Sequence, residues 1–492
     1  MKYYIGADLG TSALKLLLVD TDGNILKTVT KSYEVFYPNP GWSEQSPEDW
    51  WNALVCGIKE LVADVDKKSI GGIGVGGQMH GLVILDEDDN VIRPAILWND
   101  GRTSKETDYL NNVIGQEKLA ELTGNIAFAG FTAPKILWVK ENEPENFKKI
   151  SKIMLPKDYI NYKLTGVSSM DYSDASGTLL LDVENKCWSE EMLGICGINA
   201  SLLPKLYESY DKTGVIKPEI LEELGLDGAV TVVAGAGDNA AAAIGTGTVI
   251  NGKCNISLGT SGTFFVSSEN YAKLSNNAIH SFCHANGEYH VMGCILSAAS
   301  CNKWLCEDIL KTSDYVKEQE LITDDMLGRN DVYFLPYLMG ERSPINDTDA
   351  RGTLIGMRLD TTRQDIVQAI LEGVAFAVKD NLEVAKEADV AVSRSTLCGG
   401  GAKSPLWRKI LANVLNIPID IPSAEEGPGF GGAVLAMVGD GVYENVGFCA
   451  EKFVSITGTV LPDPEISARY EERYNKFKCL YPALKDFFKI LK

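Results

Sequence analysis

The sequence contains few histidines, and its cysteines do not follow a metal-binding spacing. There are 4 His and 11 Cys in 492 residues, and no repeated CxxC pair. Four of these residues lie close together: Cys283, His284, His290 and Cys294. Asn286-Gly287 between them is typical of a hairpin turn, which is a better interpretation than a zinc site. We therefore expect reduced thiols in a cytoplasmic protein.

Long hydrophobic runs and an excess of positive charge are also missing. No run reaches the ~18–20 apolar residues that a membrane span needs. The N-terminus, MKYYIGADLG, enters an apolar segment without a basic leader region, which argues against secretion. The chain carries 46 Lys+Arg against 67 Asp+Glu, a net charge of −21, so a phosphate-rich surface would be repelled. These features predict neither a nucleic-acid partner nor a membrane partner.

The remaining composition is that of a globular protein. Hydrophobic residues make up 45 %, charged residues 23 %, and glycine occupies 47 positions. At about 150 residues per domain the length admits three domains or two large ones.

A sequence pattern that occurs twice in the chain favours two domains. Residues 255–266 resemble residues 5–16, since both have an apolar strand, then Leu-Gly-Thr-Ser, then a second apolar strand. Gly245-Thr246-Gly247-Thr248 lies just before the second copy and has the composition of a hinge. We predict two similar α/β domains, residues 1–247 and 248–492.

Apolar spacing and capping residues predict several helices. One begins after Ser46, which can cap it, with Pro47 in the first helical position. A stripe of apolar residues at four-residue intervals over 366–382 predicts a long helix with a buried face. Residues 466–491 predict a terminal helix with aromatic residues along one side.

Two glycine-rich segments do not fit common nucleotide motifs. Residues 72–77 match GxGxxG, but an apolar strand at 82–85 follows where a dinucleotide site needs a helix. Gly401-Ala402-Lys403-Ser404 lacks the glycine that a Walker loop needs before lysine. The sequence predicts neither site.

The Leu-Gly-Thr-Ser segments remain as phosphate-binding candidates. Gly10 would let backbone N–H groups approach phosphate oxygens, and the hydroxyls of Thr11 and Ser12 would add donors. Asp8 ends the first strand, where a carboxylate can hold hydrated Mg²⁺. A third glycine-rich segment, residues 399–402, follows another apolar strand.

These three segments together resemble the phosphate 1, phosphate 2 and adenosine motifs of the superfamily of sugar kinases, actin and heat-shock chaperones. Residues 130–142, and 352–357 with 365–372, resemble the two signatures of the FGGY carbohydrate kinases. The resemblance extends along essentially the whole chain through Gly77-Gln78-Met79-His80-Gly81, Leu97-Trp98-Asn99-Asp100-Gly101-Arg102 and Gly237-Asp238-Asn239-Ala240. It implies an α/β fold of two ribonuclease-H-like (actin-like ATPase) domains with a catalytic cleft between them.

The resemblance also implies the activity. ATP, with Mg²⁺, would phosphorylate a small sugar, D-xylulose, to D-xylulose 5-phosphate, which feeds the pentose phosphate pathway. Ribulose, gluconate and glycerol are alternative acceptors in the same family. A non-catalytic actin-like nucleotide-binding protein is the alternative of another class, although it would not need Asp238 or the GQMHG segment. Homodimers are common among relatives, but no residue pattern here specifies an interface.

Asp238 is the predicted catalytic base, since it lies between an apolar strand and an alanine-rich helix start and matches the proton acceptor of the family. A helix N-cap is its structural alternative. His80 is a competing base, because neutral imidazole also accepts a proton, but a sugar hydroxyl partner is the preferred role. Trp98 could instead be a core residue, and Arg102 could serve only to pair with Asp100.

The family motifs assign the remaining roles by position. The implied metal ligands are Asp8 and Asp238. The implied sugar-binding residues are Gln78, Met79, His80, Trp98, Asn99, Asp100, Arg102, Asp238 and Asn239. The implied ATP-binding residues are Gly10, Thr11, Ser12, Lys15, Gly259, Thr260, Ser261, Gly400, Gly401 and Ala402.

Overall fold

The computed structural model describes residues 2–274, 278–423 and 427–491. Within them the chain divides into two compact units. Unit 1 comprises Met1–Val249, Ser281–Tyr289 and Glu426–Val454, and unit 2 comprises Ile250–His280, His290–Glu425 and Ser455–Lys492. The predicted division at 247/248 falls near the first crossing of the chain, and two later segments return to unit 1. None of the helices in the described ranges is both long and apolar enough to cross a membrane.

The first half of the chain contains fifteen strands in its described part. They are β1 (Tyr3–Leu9), β2 (Ala13–Asp20), β3 (Ile25–Ser32), β4 (Glu44–Gln45), β5 (Ile70–Gly77), β6 (Val83–Leu85), β7 (Ala95–Ile96), β8 (Lys152–Met154), β9 (Ser169–Asp171), β10 (Leu181–Asp182), β11 (Cys187–Trp188), β12 (Lys205–Tyr207), β13 (Lys212–Val215), β14 (Thr231–Val233) and β15 (Ala236–Gly237). Its α-helices are α1 (Pro47–Leu61), α2 (Ser104–Asp108), α3 (Gln116–Thr123), α4 (Thr132–Asn142), α5 (Pro144–Phe147), α6 (Pro156–Thr165), α7 (Tyr172–Ser176), α8 (Glu190–Cys196), α9 (Pro218–Leu224) and α10 (Asp238–Gly245).

The second half of the chain continues the same alternation of strands and helices. Its strands are β16 (Lys253–Leu258), β17 (Gly262–Ser268), β18 (His280–Cys283), β19 (Tyr289–Ile295), β20 (Tyr333–Leu335), β21 (Thr353–Ile355), β22 (Arg394–Cys398), β23 (Ile419–Pro422) and β24 (Ile456–Val460). Its α-helices are α11 (Ala299–Lys303), α12 (Tyr315–Gln319), α13 (Arg363–Glu387), α14 (Pro405–Leu415), α15 (Pro428–Gly439), α16 (Val446–Phe453), α17 (Pro464–Phe477) and α18 (Leu480–Phe488). Short 3₁₀ turns occur at Lys67–Ser69, Ala200–Leu202, Gly400–Lys403 and Lys489–Leu491, and π-helical turns at Tyr109–Gly115 and Trp304–Ile309.

Unit 1 is built on a mixed sheet with strand order β13-β14-β5-β1-β2-β3, and β15 also pairs with β5. β1, β2 and β3 form an antiparallel meander, whereas β5 pairs with β1, β14 and β15 in parallel. Parallel strands have their carboxyl ends at one edge of a sheet, where ligands bind in open α/β folds. That edge therefore carries the residues that follow β1, β5 and β15.

Unit 2 repeats this arrangement in its own sheet. Six consecutive strands of its seven-stranded sheet run in the order β19-β17-β16-β22-β23-β24, and the seventh strand, β18, follows β19 at the edge. β16 is antiparallel to β17 and parallel to β22, just as β1 is antiparallel to β2 and parallel to β5. β22 is parallel to β23, just as β5 is parallel to β14. The shared order of these strands in the two units confirms the duplicated α/β architecture that the repeated Leu-Gly-Thr-Ser segment predicts.

The GxGxxG segment is the buried strand β5, so it is not a dinucleotide loop. Its glycines admit α15, which packs on β1 and β5 in unit 1. A β-carbon on Gly74 would lie 2.1 Å from the carbonyl oxygen of Gly432, and one on Gly6 1.8 Å from that of Gly429. The glycine pattern therefore serves backbone-to-backbone packing of a helix on the sheet.

Two helix predictions need correction. α1 begins at Pro47 as predicted, but the Ser46 side chain makes no capping hydrogen bond. The terminal segment forms two helices, α17 and α18, rather than one. Pro482 explains the break, because it has no N–H to donate to the carbonyl of residue 478 and its ring would clash there. The predicted long helix over 366–382 is confirmed as part of α13.

Candidate active site

Three neighbouring strand ends in unit 1 bring the predicted residues together. Asp8 pairs with Gly76 across β1 and β5, and Gly237 pairs with Gly77 across β15 and β5. The backbone N–H of Gln78 donates to the carbonyl of Leu9 at 2.8 Å. The turn after β1, the Gln78-Met79-His80 segment after β5 and Asp238 after β15 thus share one edge of the sheet.

Asp8 and Asp238 are two carboxyl groups that influence each other at this edge. Burial raises the pKa of Asp8 to about 6, against the opposing effect of Lys15 on the adjacent strand. Burial and the charge of Asp8 raise the pKa of Asp238 to about 7, while the N–H of Asn239 acts in the opposite direction. Two carboxylates that share a poorly solvated site repel each other, which is the arrangement that a bound cation or an accepted proton relieves.

Asp238 is the first residue of α10, and Gly237 occupies the N-cap position, so the N-cap alternative for Asp238 is wrong by one residue. Its Oδ1 accepts from the backbone N–H of Asn239 at 2.7 Å and from the Asn239 side chain at 2.9 Å. Met79 packs beside them, since a β-carbon on Gly237 would lie 3.0 Å from the Met79 sulfur. The side chains of Asp238 and Asn239 are half-buried.

The turn after β1 is held by side chains that the sequence analysis did not select. Gln45 donates to the carbonyl of Thr11 at 2.6 Å, and the Tyr33 hydroxyl donates to the carbonyl of Gly10. The Gln78 amide is bound at both ends, because Oε1 accepts from Thr11 at 3.2 Å and Nε2 donates to Gln45 at 3.0 Å. Gln78 is buried, so the contacts seen for it support the turn. Gln45 belongs to Trp42-Ser43-Glu44-Gln45, a further segment that resembles the FGGY carbohydrate kinases, and this resemblance is the sequence signal that could have identified it.

His80 has an unusual backbone conformation next to this turn. Its φ is +69°, in the left-handed region that non-glycine residues seldom occupy. Its Nδ1–H donates to the carbonyl of Gly177 at 2.7 Å, and its ring lies 4.8 Å from that of Phe131. Donation from Nδ1 leaves Nε2 as the accepting nitrogen of a neutral imidazole. The geometry therefore suits acceptance of a hydroxyl hydrogen.

Asp100 and Arg102 form a buried ion pair. Arg102 donates to Asp100 through Nε at 2.9 Å and through its terminal nitrogen at 2.7 Å, and both side chains are wholly buried. The guanidinium also lies 3.7 Å from the Trp42 ring centre and 2.7 Å from a Glu44 oxygen. These contacts agree with the alternative in which Arg102 pairs with Asp100 and braces the loop.

Trp98 and Asn99 differ from that pair in being exposed. Trp98 is 41 % exposed, and its indole N–H donates to the Thr11 hydroxyl at 2.9 Å. This exposure removes the core alternative for Trp98. Among the predicted sugar-binding residues, those with solvent-accessible surface at the strand edge are His80, Trp98, Asn99, Asp238 and Asn239.

Unit 2 places its own glycine-threonine-serine turn at the carboxyl end of β16. The carbonyl of Gly259 accepts from the N–H of Ala299 at 2.8 Å, and that of Thr260 accepts from the Ser300 hydroxyl at 2.7 Å. Thr260 and Ser261 are exposed. The turn is anchored through its carbonyls, which leaves its side chains directed to solvent.

The glycines after β22 have separate roles. Gly399 has φ +86°, and a β-carbon on it would lie 2.7 Å from the carbonyl oxygen of Leu258. Gly401 is buried, and a β-carbon on it would lie 2.8 Å from the Leu258 β-carbon and 3.0 Å from the Trp407 ring. Ala402 is buried beside it. Gly400 is exposed, and a β-carbon there would meet nothing within 4 Å. Within the segment predicted to contact ATP, Gly400 is the position that solvent reaches.

The donor chemistry at the unit 1 strand edge fits Mg²⁺. The described residues contain no group of three or more His, Cys, Asp or Glu side chains that could hold a metal ion. Mg²⁺ takes one or two protein carboxylates and completes its shell with water and phosphate oxygens. Asp8 and Asp238 supply that number of hard oxygen donors, and a cation beside them would offset the effect by which the Asp8 charge raises the pKa of Asp238.

Two α/β units of one strand order, each with a glycine-threonine-serine turn after its first strand, define a two-domain sugar kinase of the actin-like ATPase fold class. Sequence profiles agree with this class. Residues 3–245 match the N-terminal domain, and residues 254–439 the C-terminal domain, of the FGGY family of carbohydrate kinases. The chain belongs to the FGGY family of carbohydrate kinases, an assignment that confirms the resemblance and implies the use of ATP and a sugar.

Individual relatives are similar over nearly their full length. A xylulose kinase of Escherichia coli (strain K12) is 39 % identical, over 98 % of this chain and 99 % of that protein. A crystal structure described as a xyloylose kinase from Brucella ovis has a TM-score of 0.93 and 39 % identity, covering 99 % of this chain and 100 % of the other. A gluconate kinase from Lactobacillus acidophilus has a TM-score of 0.94 at 26 % identity, covering 100 % of both chains.

Proposed function

We propose that this kinase transfers the terminal phosphoryl group of ATP to D-xylulose, giving D-xylulose 5-phosphate for the pentose phosphate pathway. The observation that carries the proposal is the 39 % identity to a xylulose kinase over 98 % of the chain. The accessible side chains at the unit 1 strand edge are suited to bind a small polyhydroxyl compound, because they combine an aromatic face with hydrogen-bonding groups.

Asp238 acts as the base that accepts the proton of the attacking sugar hydroxyl. Phosphoryl transfer requires positioning and charge neutralisation, and a carboxylate oriented on the hydroxyl. A pKa of about 7 keeps Asp238 partly ionised at neutral pH yet basic enough to take a proton. His80 and Asn239 bind the sugar beside it, and Met79 packs under Gly237.

Asp8 would hold Mg²⁺, with the Asp238 carboxylate beside it, and the ion would neutralise phosphate charge when bound. Gly10, Thr11 and Ser12 contact ATP phosphates from unit 1, and Lys15 adds a positive charge opposite Asp8. Gly259, Thr260 and Ser261 bind phosphate from unit 2, and Gly400 with its neighbours contacts the nucleotide. A homodimer and a cytoplasmic location stay predictions.

Gluconate is a second candidate acceptor, because the Lactobacillus acidophilus gluconate kinase shares the fold at a TM-score of 0.94. An ADP-coupled assay with D-xylulose, D-ribulose, gluconate and glycerol discriminates between them. We expect kcat/KM for D-xylulose to exceed the others at least tenfold. A higher value for gluconate would assign the enzyme to that acid instead, and ADP release that no acceptor stimulates would favour the non-catalytic alternative.

A further inference from the structure

A buried ion cluster lies behind the strand ends, outside the predicted site. Lys157 Nζ is 2.6 Å from Asp158, 3.0 Å from Asp171 and 3.7 Å from Asp174, and all four side chains are wholly buried. These carboxylates raise the pKa of Lys157 against the opposing effect of its burial. Buried charges are costly to desolvate and often add nothing to stability, so such a cluster calls for a role beyond holding the fold together.

The stem of Lys157 contacts two of the strand ends that carry site residues. A β-carbon on Gly77, the last residue of β5, would lie 2.8 Å from the β-carbon of Lys157. A β-carbon on Gly235, just before β15, would lie 3.1 Å from its δ-carbon. The ammonium group also donates to the carbonyl of Ala234 at 3.3 Å. Lys157 thus lies against the residues that lead into Gln78 and Asp238.

Asp171 extends the cluster to the residue before Asp238. It is the N-cap of α7, and its Oδ2 accepts from both the backbone N–H and the hydroxyl of Ser173. The Ser173 hydroxyl oxygen in turn accepts the backbone N–H of Gly237 at 3.1 Å. A continuous chain of polar contacts therefore runs from Lys157 through Asp171 and Ser173 to the N-cap of α10.

The other end of α7 reaches the sugar-binding segment. Gly177 follows the helix, and its carbonyl accepts the Nδ1–H of His80 at 2.7 Å. The fit is close, since a β-carbon on Gly177 would lie 2.4 Å from the His80 ring. This contact fixes the direction of the His80 imidazole, and the backbone of His80 itself has a φ of +69°.

We propose that Ser173 is a positioning residue for phosphoryl transfer. It joins the Gly237 N–H to the Lys157–Asp171 ion pair, so that one short helix, α7, fixes the directions of both Asp238 and His80. The proposal rests on the assignment of Asp238 as the base. It predicts that loss of the Ser173 hydroxyl impairs turnover rather than nucleotide binding, because a misdirected carboxylate affects the transfer step.

The test compares Ser173→Ala with Ser209→Ala in the full-length enzyme. Ser209 is equally buried, and its hydroxyl donates to the same Asp171 Oδ2 at 2.8 Å, but its side chain makes no hydrogen bond to Gly237 among the described contacts. We expect Ser173→Ala to lower kcat about tenfold or more with the KM for ATP within about twofold. Ser209→Ala should keep kcat within about twofold, while both variants lose similar thermal stability.

Asp238→Asn, measured alongside, separates two kinds of failure. An inactive Asp238→Asn with equal kcat losses in the two serine variants would overturn the positioning role and leave the base assignment standing. An active Asp238→Asn would overturn the base assignment itself. A Ser173→Ala enzyme with wild-type kcat would also overturn the proposal.

Discussion

The two Leu-Gly-Thr-Ser turns have the same sequence and different geometry. In unit 1, Leu9 pairs with Leu14, so four residues form the loop, whereas Leu258 in unit 2 pairs with Gly262 and leaves three. A β-carbon on Gly262 would lie 3.1 Å from the β-carbon of Ala298 and 3.2 Å from the carbonyl oxygen of Ser257. One residue of register reverses the faces of the following strand, so equal motifs do not give equal surroundings.

The turns also differ in chemistry and support. Asp8 precedes the first turn, and the equivalent position before the second is Ser257. Side chains of Tyr33 and Gln45 hold the carbonyls of the first turn, while backbone N–H groups and Ser300 hold those of the second. The comparison shows that unit 1 has the ionisable groups Asp8 and Asp238 at the strand ends beside its turn, whereas the turn of unit 2 has uncharged donors.

The largest expected effect is that of Asp238→Asn. The amide cannot take a proton, so we expect kcat to fall roughly 10³-fold with sugar affinity retained. Steady-state kinetics with a direct sugar-binding measurement checks this. Near-normal kcat would remove Asp238 from the base role and with it the asymmetry between the units.

The pH dependence of kcat/KM should follow the protonation of the Asp238 carboxyl group. Its pKa is raised from the ordinary value of 3.8 to about 7, so the group gains a proton as pH falls through 7. The protonated form cannot act as a base, and kcat/KM should therefore fall about tenfold per pH unit below 7. A profile that stays flat down to pH 5.5 would contradict the prediction.

The dependence of activity on Mg²⁺ should distinguish Asp8 from Ser257, which occupies the equivalent position in unit 2. Asp8→Ala removes one proposed oxygen ligand, and we expect the Mg²⁺ concentration for half-maximal activity to rise roughly tenfold. Ser257→Ala is the matched control from unit 2 and should leave it unchanged. Equal responses of the two variants would mean that the turns do not differ in metal binding.

The smallest expected effect concerns the two threonines. Thr11→Val removes the hydroxyl that binds the Gln78 amide oxygen and the Trp98 indole N–H, which should cost about 1–3 kcal/mol and lower Tm by roughly 2–6 °C. Thr260→Val changes an exposed side chain, so Tm should stay constant while the KM for ATP rises. Differential scanning fluorimetry checks the first expectation, and equal Tm shifts would argue against unequal support of the turns.

Local signals were sufficient for much of the fold. The alternating apolar runs gave β1, β2 and β5, and four-residue spacing gave α13. Prediction was wrong for the terminal helix, where Pro482 was overlooked, and for the cap of α1, where the Ser46 side chain makes no capping hydrogen bond. The positions of Asp8 and Asp238 near the ends of apolar strands were predicted from local pattern, whereas Gln78 and His80 were named through the family resemblance; their roles stay predictions.

The supporting residues could not be predicted in the same way. Tyr33, Gln45 and Ser173 act through hydrogen bonds to residues 23, 34 and 64 positions away. Polar residues of these types are common in any sequence, and their value depends on which strand ends the fold places beside them.

The sequence by itself determined the duplicated architecture and the family, because these depend on strand periodicity and on motifs within a few neighbouring positions. It also supplied the candidate site residues. The net charge of −21 predicts that the protein does not bind a phosphate-rich surface, and this stays a prediction. The tertiary structure alone decided which residues are exposed to a substrate and which hold the others in place. Burial and the charge of Asp8 raise the pKa of Asp238, and the contacts from Lys157 to Gly237 join residues that are far apart in the sequence.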